Sequence, residues 1–117
     1  MTDFPFHSQE TSWACGAAVM RMALEKLGIK KSERQIVRIL KTNKIRGTWH
    51  REFPRVAEKL KFDYCVKRNA TLEDLQEYQN QGYIVIVCYY LPREHVDHYS
   101  IVRCIDAEHI SFYDPWF

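Results

Sequence analysis

No segment of the chain has the length and apolar character of a membrane-spanning helix. The longest apolar run, YIVIVCYYL from Tyr83 to Leu91, is far shorter than the ~20 residues that such a helix needs. The N-terminus also lacks a basic segment followed by an apolar run, so we expect no signal peptide. These absences predict a cytoplasmic protein with no membrane segment.

An excess of charge of one sign is also missing. The chain has 17 basic and 15 acidic residues, which gives a formal net charge of +2. The charges are largely interspersed, although the stretch from Arg46 to Arg55 is locally basic. Nucleic-acid-binding domains usually carry a basic face or stripe. We therefore expect no nucleic-acid partner.

The four cysteines contain no C-x-x-C pair, which argues against a zinc ribbon or a thioredoxin-like redox site. Cys65, Cys88 and Cys104 lie inside apolar, strand-like stretches, so we expect buried, reduced thiols that act as small hydrophobic residues. Cys15 differs from these three, because it lies at the start of a predicted helix. His95 and His98 are three residues apart, but they lie in a loop and a strand with no nearby cysteine or carboxylate pair beyond Asp97 and Glu94, and we expect no metal and no cofactor.

A length of 117 residues, with 46% hydrophobic and 27% charged residues, predicts a single domain spanning residues 1–117. Apolar spacing and capping residues predict helices first, and alternating β-branched and aromatic residues predict strands afterwards. This order indicates an α+β fold with a mostly antiparallel sheet. The first predicted helix runs from Trp13 to Leu27, the second begins at a capping box of Ser32 and Gln35, the third begins between Thr48 and Phe53, and the fourth runs from Thr71 to Gly82. The predicted strands run from Phe62 to Lys67, Tyr83 to Tyr90, His98 to Ile105 and His109 to Tyr113.

Cys15 is placed at the start of the first predicted helix, in the stretch HSQETSWACGAA. A helix N-terminus carries a partial positive charge and unpaired N–H groups, which favour a thiolate over a thiol. A nucleophilic thiolate also needs a general base and a group that orients the base. Cys15 is therefore a candidate nucleophile.

His98 and Asp114 are candidates for the two remaining roles. His98 opens one predicted strand and Asp114 follows the next, with DAEH, residues 106–109, as the hairpin turn between them. Antiparallel pairing brings the end of the second strand back beside the start of the first. We expect Asp114 to accept the Nδ1–H of His98, which leaves Nε2 facing Cys15.

The segments QETSWACGAA and HYSIVRCIDAEHISFYDP resemble the papain-like C39 cysteine peptidases, which include double-glycine leader peptidases. RGTWHREFPRVAEKLKF is similar to a further segment of that family. The resemblance implies a papain-like fold in which N-terminal helices pack on the sheet. It also implies that Cys15 is the nucleophile, His98 the general base and acid, Asp114 the orienting residue and Gln9 an oxyanion-hole donor.

Other roles for these residues stay open at the level of sequence. Gln9 is also suited to capping the helix, and Asp114 before Pro115 is also typical of a turn. Trp13 and Trp116 either line a substrate groove or pack in the core. Family domains usually continue beyond the orienting residue, so we expect either a minimal domain or a C-terminally truncated one.

The sequence thus predicts a cysteine peptidase that hydrolyses a peptide bond of a peptide or protein substrate through an acyl-enzyme. The resemblance also implies processing of leader peptides and association with a peptide exporter. One alternative is a C39-like module that binds a peptide without cutting it. Another is an acyl transferase or deamidase that uses the same three residues.

Overall fold

The computed structural model describes residues 4–116 and has an α+β fold, as the sequence predicts. Four helices precede a three-stranded antiparallel sheet, whose strand order is β1-β2-β3. The elements described are α1 (Cys15–Lys26), α2 (Glu33–Ile39), α3 (Glu52–Lys59), α4 (Leu72–Asn80), β1 (Ile86–Leu91), β2 (Val96–Ile105) and β3 (Ile110–Tyr113).

Helix α1 lies at the centre of the domain. Its small and apolar side chains are buried on both sides, against α2 and α3 in one cluster and against β2 in the other. The helix is terminated by Gly28, the residue after its C-cap Leu27, whose φ of 96° is accessible to glycine at little cost. Ile29 N–H donates to the Leu24 carbonyl and Gly28 N–H to the Glu25 carbonyl, which is the Schellman pattern. The buried residues of α1 are Gly16, Ala17, Ala18, Val19, Met20, Met22, Ala23 and Leu24.

Side-chain caps fix the starts of α2 and α4. Ser32 accepts the Gln35 backbone N–H, and Gln35 accepts the Ser32 N–H in return. Thr71 and Asp74 form the same reciprocal pair at α4. Each capping box satisfies two backbone donors at the end of a helix, and both predicted starts are confirmed.

The prediction of a strand from Phe62 to Lys67 is wrong. Phe62 packs against the core, but Tyr64 and Val66 are 46% and 64% exposed, so the alternation does not mark a buried face. The segment is attached to helices instead, since the Tyr64 hydroxyl donates to Glu58 and the Cys65 thiol to the Tyr78 hydroxyl.

Strand β1 begins at Ile86, three residues later than predicted. Tyr83 belongs to the end of α4, because its N–H donates to the Tyr78 carbonyl after Gly82, whose φ is 92°. The C-terminal cap of α4 therefore includes Tyr83, the first residue of the apolar run, and the strand begins after it.

The predicted burial of Cys65, Cys88 and Cys104 is also wrong, since all three are exposed. Cys65 lies in the irregular segment before α4, and Cys88 lies on β1, an edge strand. Cys104 follows an irregularity in the β2–β3 register between Val102 and Cys104, which changes how the strand presents its side chains.

The β2–β3 hairpin has the predicted turn. Asp106 N–H donates to the His109 carbonyl, and the Asp106 carboxylate accepts the N–H groups of Glu108 and His109. Ile101 pairs with Tyr113 in this hairpin. The end of β3 is thereby brought back toward the first half of β2. Within residues 4–116, no helix is both long and apolar enough to cross a bilayer.

Candidate active site

Cys15 is the first residue of α1 and is half-buried. The residue before it, Ala14, has no side chain that caps the helix, and the first turn contains no acidic residue. The N–H groups of this turn therefore keep their partial positive charge beside the thiol.

Gly16 lets the neighbouring loop approach Cys15 closely. A Cβ at Gly16 would lie 2.6 Å from Thr48 Oγ1 and 2.8 Å from Thr48 Cβ, so a larger residue would force the loop outward. Thr48 is held in turn by Thr42 at 2.7 Å and by the Tyr99 hydroxyl, which donates to its carbonyl. This packing gives a physical reason for the Cys-Gly pair and for the Gly47-Thr48 pair.

His98 lies on β2 with only 3% of its surface exposed. The Tyr89 and Trp116 rings meet the imidazole edge to face, with centroid distances of 5.7 Å and 6.1 Å. Tyr89 pairs directly with His98 across the β1–β2 ladder and is itself held by Ser100, with 2.9 Å between the two hydroxyl oxygens. The imidazole plane is therefore fixed by aromatic packing as well as by hydrogen bonds.

Asp114 follows β3 and approaches His98 from the neighbouring strand. Its Oδ1 lies 2.7 Å from His98 Nε2 and also accepts the Trp116 backbone N–H at 2.9 Å. The expected ring orientation is wrong, because Nε2 rather than Nδ1 faces the carboxylate. The hairpin register brings Asp114 to Nε2, which leaves Nδ1 as the ring nitrogen that does not contact the carboxylate.

Burial alone would lower the pKa of His98, but hydrogen bonds with Cys15 and Asp114 and their negative charge oppose it and raise the pKa above its usual value. The net direction favours the protonated form of His98. An arrangement of this kind can keep a cysteine as a thiolate while holding a proton ready for a leaving group.

Gln9 lies in the loop before α1. Its backbone N–H donates to the Pro115 carbonyl at 2.7 Å, which ties this loop to the segment that carries Asp114. The side-chain Nε2 donates to the Thr11 carbonyl at 2.8 Å, and Oε1 is buried with no hydrogen-bond partner among the described residues. Because Gln9 Oε1 accepts no hydrogen bond from the described residues, the Gln9 side chain does not cap α1.

The two tryptophans have separate environments. Trp13 packs against the core cluster of α1, α2 and α3, whereas Trp116 is 51% exposed and lies against His98. The core interpretation therefore fits Trp13, and Trp116 is the one placed to border a groove.

Sequence reasoning missed two features near this site. Tyr89 supports His98, and the only sequence signal for it is its position on the strand that pairs with β2. Within residues 4–116, one group of potential metal ligands also comes together: His50, Cys88 and Asp97. Loss of hydration at the sulfur and the nearby Asp97 carboxylate raise the pKa of Cys88 to about 11, although the residue as a whole is exposed.

The chain belongs to the peptidase C39 family, whose model matches residues 3–116. The structure is also similar to the peptidase domain of Streptococcus ComA, described as a bi-functional ABC transporter involved in a quorum-sensing pathway, with a TM-score of 0.77 and 24% sequence identity. This similarity covers 97% of the chain and 80% of the ComA peptidase domain. No curated protein matches the chain. The predicted family and fold class are confirmed.

Proposed function

We propose that this protein is a cysteine peptidase that cleaves a peptide bond through an acyl-enzyme on Cys15. The observations that carry the proposal are the 2.7 Å contact between Asp114 Oδ1 and His98 Nε2 and the position of Cys15 as the first residue of α1, where its thiol contributes to the raised pKa of His98. The three groups come from three separate elements. Membership of the C39 peptidase family supports the same chemistry.

In the proposed reaction, Cys15 gives its proton to the His98 nitrogen that faces it and attacks the substrate carbonyl as a thiolate. The carbonyl oxygen becomes an oxyanion, which the Cys15 backbone N–H at the helix start is placed to stabilise. His98 then donates its proton to the leaving amine, and the C–N bond breaks. Water, deprotonated by His98, hydrolyses the thioester and restores the thiol.

Asp114 is proposed to orient the imidazole. A carboxylate at 2.7 Å from Nε2 accepts the hydrogen on that nitrogen, so Nδ1 carries the lone pair that takes the Cys15 proton. The negative charge also stabilises the imidazolium that forms when the proton moves.

Gln9 is proposed as a second oxyanion donor. Its amide group has two hydrogens, and the Thr11 carbonyl accepts one of them, which leaves one for a substrate oxygen. The Gln9–Pro115 backbone bond keeps this amide in a fixed relation to the Asp114 segment.

For the substrate class, we infer leader-peptide processing in the cytoplasm in association with a peptide exporter. This inference draws on the likeness to a peptidase domain of an ABC transporter. In this proposal, the substrate is selected by the peptide residues that bind next to Cys15 and Trp116.

Incubation with a peptide library followed by mass spectrometry tests the reaction. Hydrolysis gives two fragments whose masses sum to the peptide plus water, and Cys15→Ala should give none. Intact peptide that co-purifies with the wild-type protein would instead indicate a binding module. Fragments joined to an added amine would indicate acyl transfer, and conversion of a glutamine side chain to glutamate would indicate deamidation.

A further inference from the structure

His50, Cys88 and Asp97 form a cluster that the proposed peptidase chemistry does not use. They come from the loop before α3, from β1 and from β2. One ligand atom of each, a ring nitrogen, a sulfur and a carboxylate oxygen, lies within 4.8 Å of the other two. All three residues are exposed, so an ion in solution can reach them.

The β1–β2 register brings two of the three ligands together. Cys88 is paired with Tyr99, and Asp97 lies two residues from Tyr99 on the same face of β2. Neighbouring strand residues point to opposite faces, so Asp97 and His98 point apart although they are adjacent in sequence. The cluster is therefore separate from the Asp114–His98 pair.

The tautomer of His50 is set by a hydrogen-bond chain. The Tyr99 hydroxyl gives its single hydrogen to the Thr48 carbonyl at 2.8 Å, so it can only accept from His50 Nδ1, which lies 2.6 Å away. Nδ1 then carries a hydrogen, which leaves Nε2 as the ring nitrogen available to a metal. Histidines that bind metals commonly donate their other ring N–H to an oxygen in this way.

The cluster contains two groups that a cation could neutralise, the Cys88 thiol and the Asp97 carboxylate. Among residues 4–116, Asp97 takes part in no ion pair. The Cys88 thiol and the Asp97 carboxylate thus lie together beside the His50 ring. A divalent cation would replace the thiol proton and neutralise both groups.

The mixture of donors indicates which cation fits. Ca²⁺ and Mg²⁺ bind through oxygen atoms, whereas Zn²⁺ accepts sulfur, nitrogen and carboxylate oxygen together. Neighbouring donors around a tetrahedral Zn²⁺ are about 3.5 Å apart, given bond lengths of about 2.0 Å to nitrogen and 2.3 Å to sulfur. Side-chain rotations that bring the three ligand atoms about 1 Å closer together would therefore give the spacing of a tetrahedral Zn²⁺ site.

We propose that His50, Cys88 and Asp97 bind Zn²⁺, with a water molecule in the fourth position. Zinc sites with three protein ligands usually keep such an open position.

Binding of Co²⁺, which has a thiolate charge-transfer absorption band where Zn²⁺ is silent, tests the site. The full chain carrying Cys15→Ser is used, because the thiol of Cys15 beside His98 would otherwise compete for metal. Co²⁺ should give the thiolate band in this protein, and Zn²⁺ should displace it. Cys88→Ser should abolish the band, and His50→Ala and Asp97→Asn should weaken binding by at least about tenfold.

Matched controls come from exposed residues outside the cluster. Cys104→Ser and His95→Ala should bind Co²⁺ like their parent, and thermal melting should show that every variant is folded. A folded Cys15→Ser protein without a thiolate band, or a band that Cys104→Ser removes as completely as Cys88→Ser, would overturn the proposal. Because the readout is metal absorption, neither result depends on whether the protein is a peptidase.

Discussion

Asp114 Oδ1 lies 2.7 Å from His98 Nε2 and at the same time accepts the backbone N–H of Trp116. The carboxylate is therefore held by its own turn while it holds the imidazole. These two contacts of one carboxylate oxygen determine what substitutions of Asp114 should do.

Asp114→Asn should retain activity within roughly tenfold of wild type, because the amide oxygen can still accept the His98 N–H. Asp114→Ala should lose roughly 10²-fold or more in kcat/KM, because nothing then fixes the ring. Steady-state kinetics on a peptide substrate, with melting curves for both variants, provides the comparison. Near-wild-type rates for both variants would reduce Asp114 to a turn residue.

The pH dependence should follow the raised pKa of His98. Since protonated His98 is favoured in the folded protein, its stabilising contribution is complete below the ordinary histidine pKa of ~6.5 and is lost as pH rises through the higher folded value. Activity that depends on protonated His98 should be lost over the same alkaline range.

Asp114→Asn removes a charge that opposes the effect of burial on His98, so it should lower the pKa of His98. The alkaline limb of the kcat/KM profile should move to lower pH, and NMR titration of the His98 ring should show the same direction. An alkaline limb that stays in place would mean that another group controls it.

Gln9→Ala should lower kcat by roughly 10²–10³ with little change in KM, because an oxyanion donor acts mainly in the transition state. Thr11 accepts from Gln9 through its backbone carbonyl, so Thr11→Ala is a control that keeps this acceptor and should leave kcat close to wild type. Unchanged turnover in a less stable Gln9→Ala protein would assign Gln9 to loop structure.

Gly16→Ala should destabilise the protein by about 1–3 kcal/mol, because the added Cβ overlaps Thr48. Thr48→Gly removes both of the overlapping atoms. The double variant should therefore be more stable than the sum of the two single effects predicts, which chemical denaturation can measure. Strictly additive effects would show that the loop is not what restricts residue 16.

Local signals in the sequence predicted several elements correctly. The Ser32–Gln35 box, the Thr71 cap and the turn at Asp106 depend on contacts between residues close in sequence, so their spacing is sufficient to identify them. Proximity of His98 to Asp114 followed from the same turn, because a hairpin determines which strand ends meet.

Features that depend on distant neighbours could not be predicted. Alternation suggested a strand from Phe62 to Lys67, but alternation does not show whether a partner strand is present. Exposure of Cys104 depends on the irregularity in the β2–β3 pairing between Val102 and Cys104. Which nitrogen of His98 faces Asp114 depends on how the two side chains meet in the folded hairpin. The contact of Gly16 with Thr48 joins a helix to a loop 32 positions along the chain, which no local pattern encodes.

Rate-resolved alkylation by iodoacetamide near pH 6, with each cysteine quantified by mass spectrometry, tests the central claim that His98 activates Cys15. An ordinary thiol with a pKa of ~8.5 is almost fully protonated at this pH, so only a thiolate stabilised by its neighbours should react quickly. Cys15 should be labelled well before the exposed Cys65, Cys88 and Cys104, and His98→Ala should remove its advantage. Equal labelling of all four cysteines in the folded protein, or rapid labelling of Cys15 that persists in His98→Ala, would contradict the account.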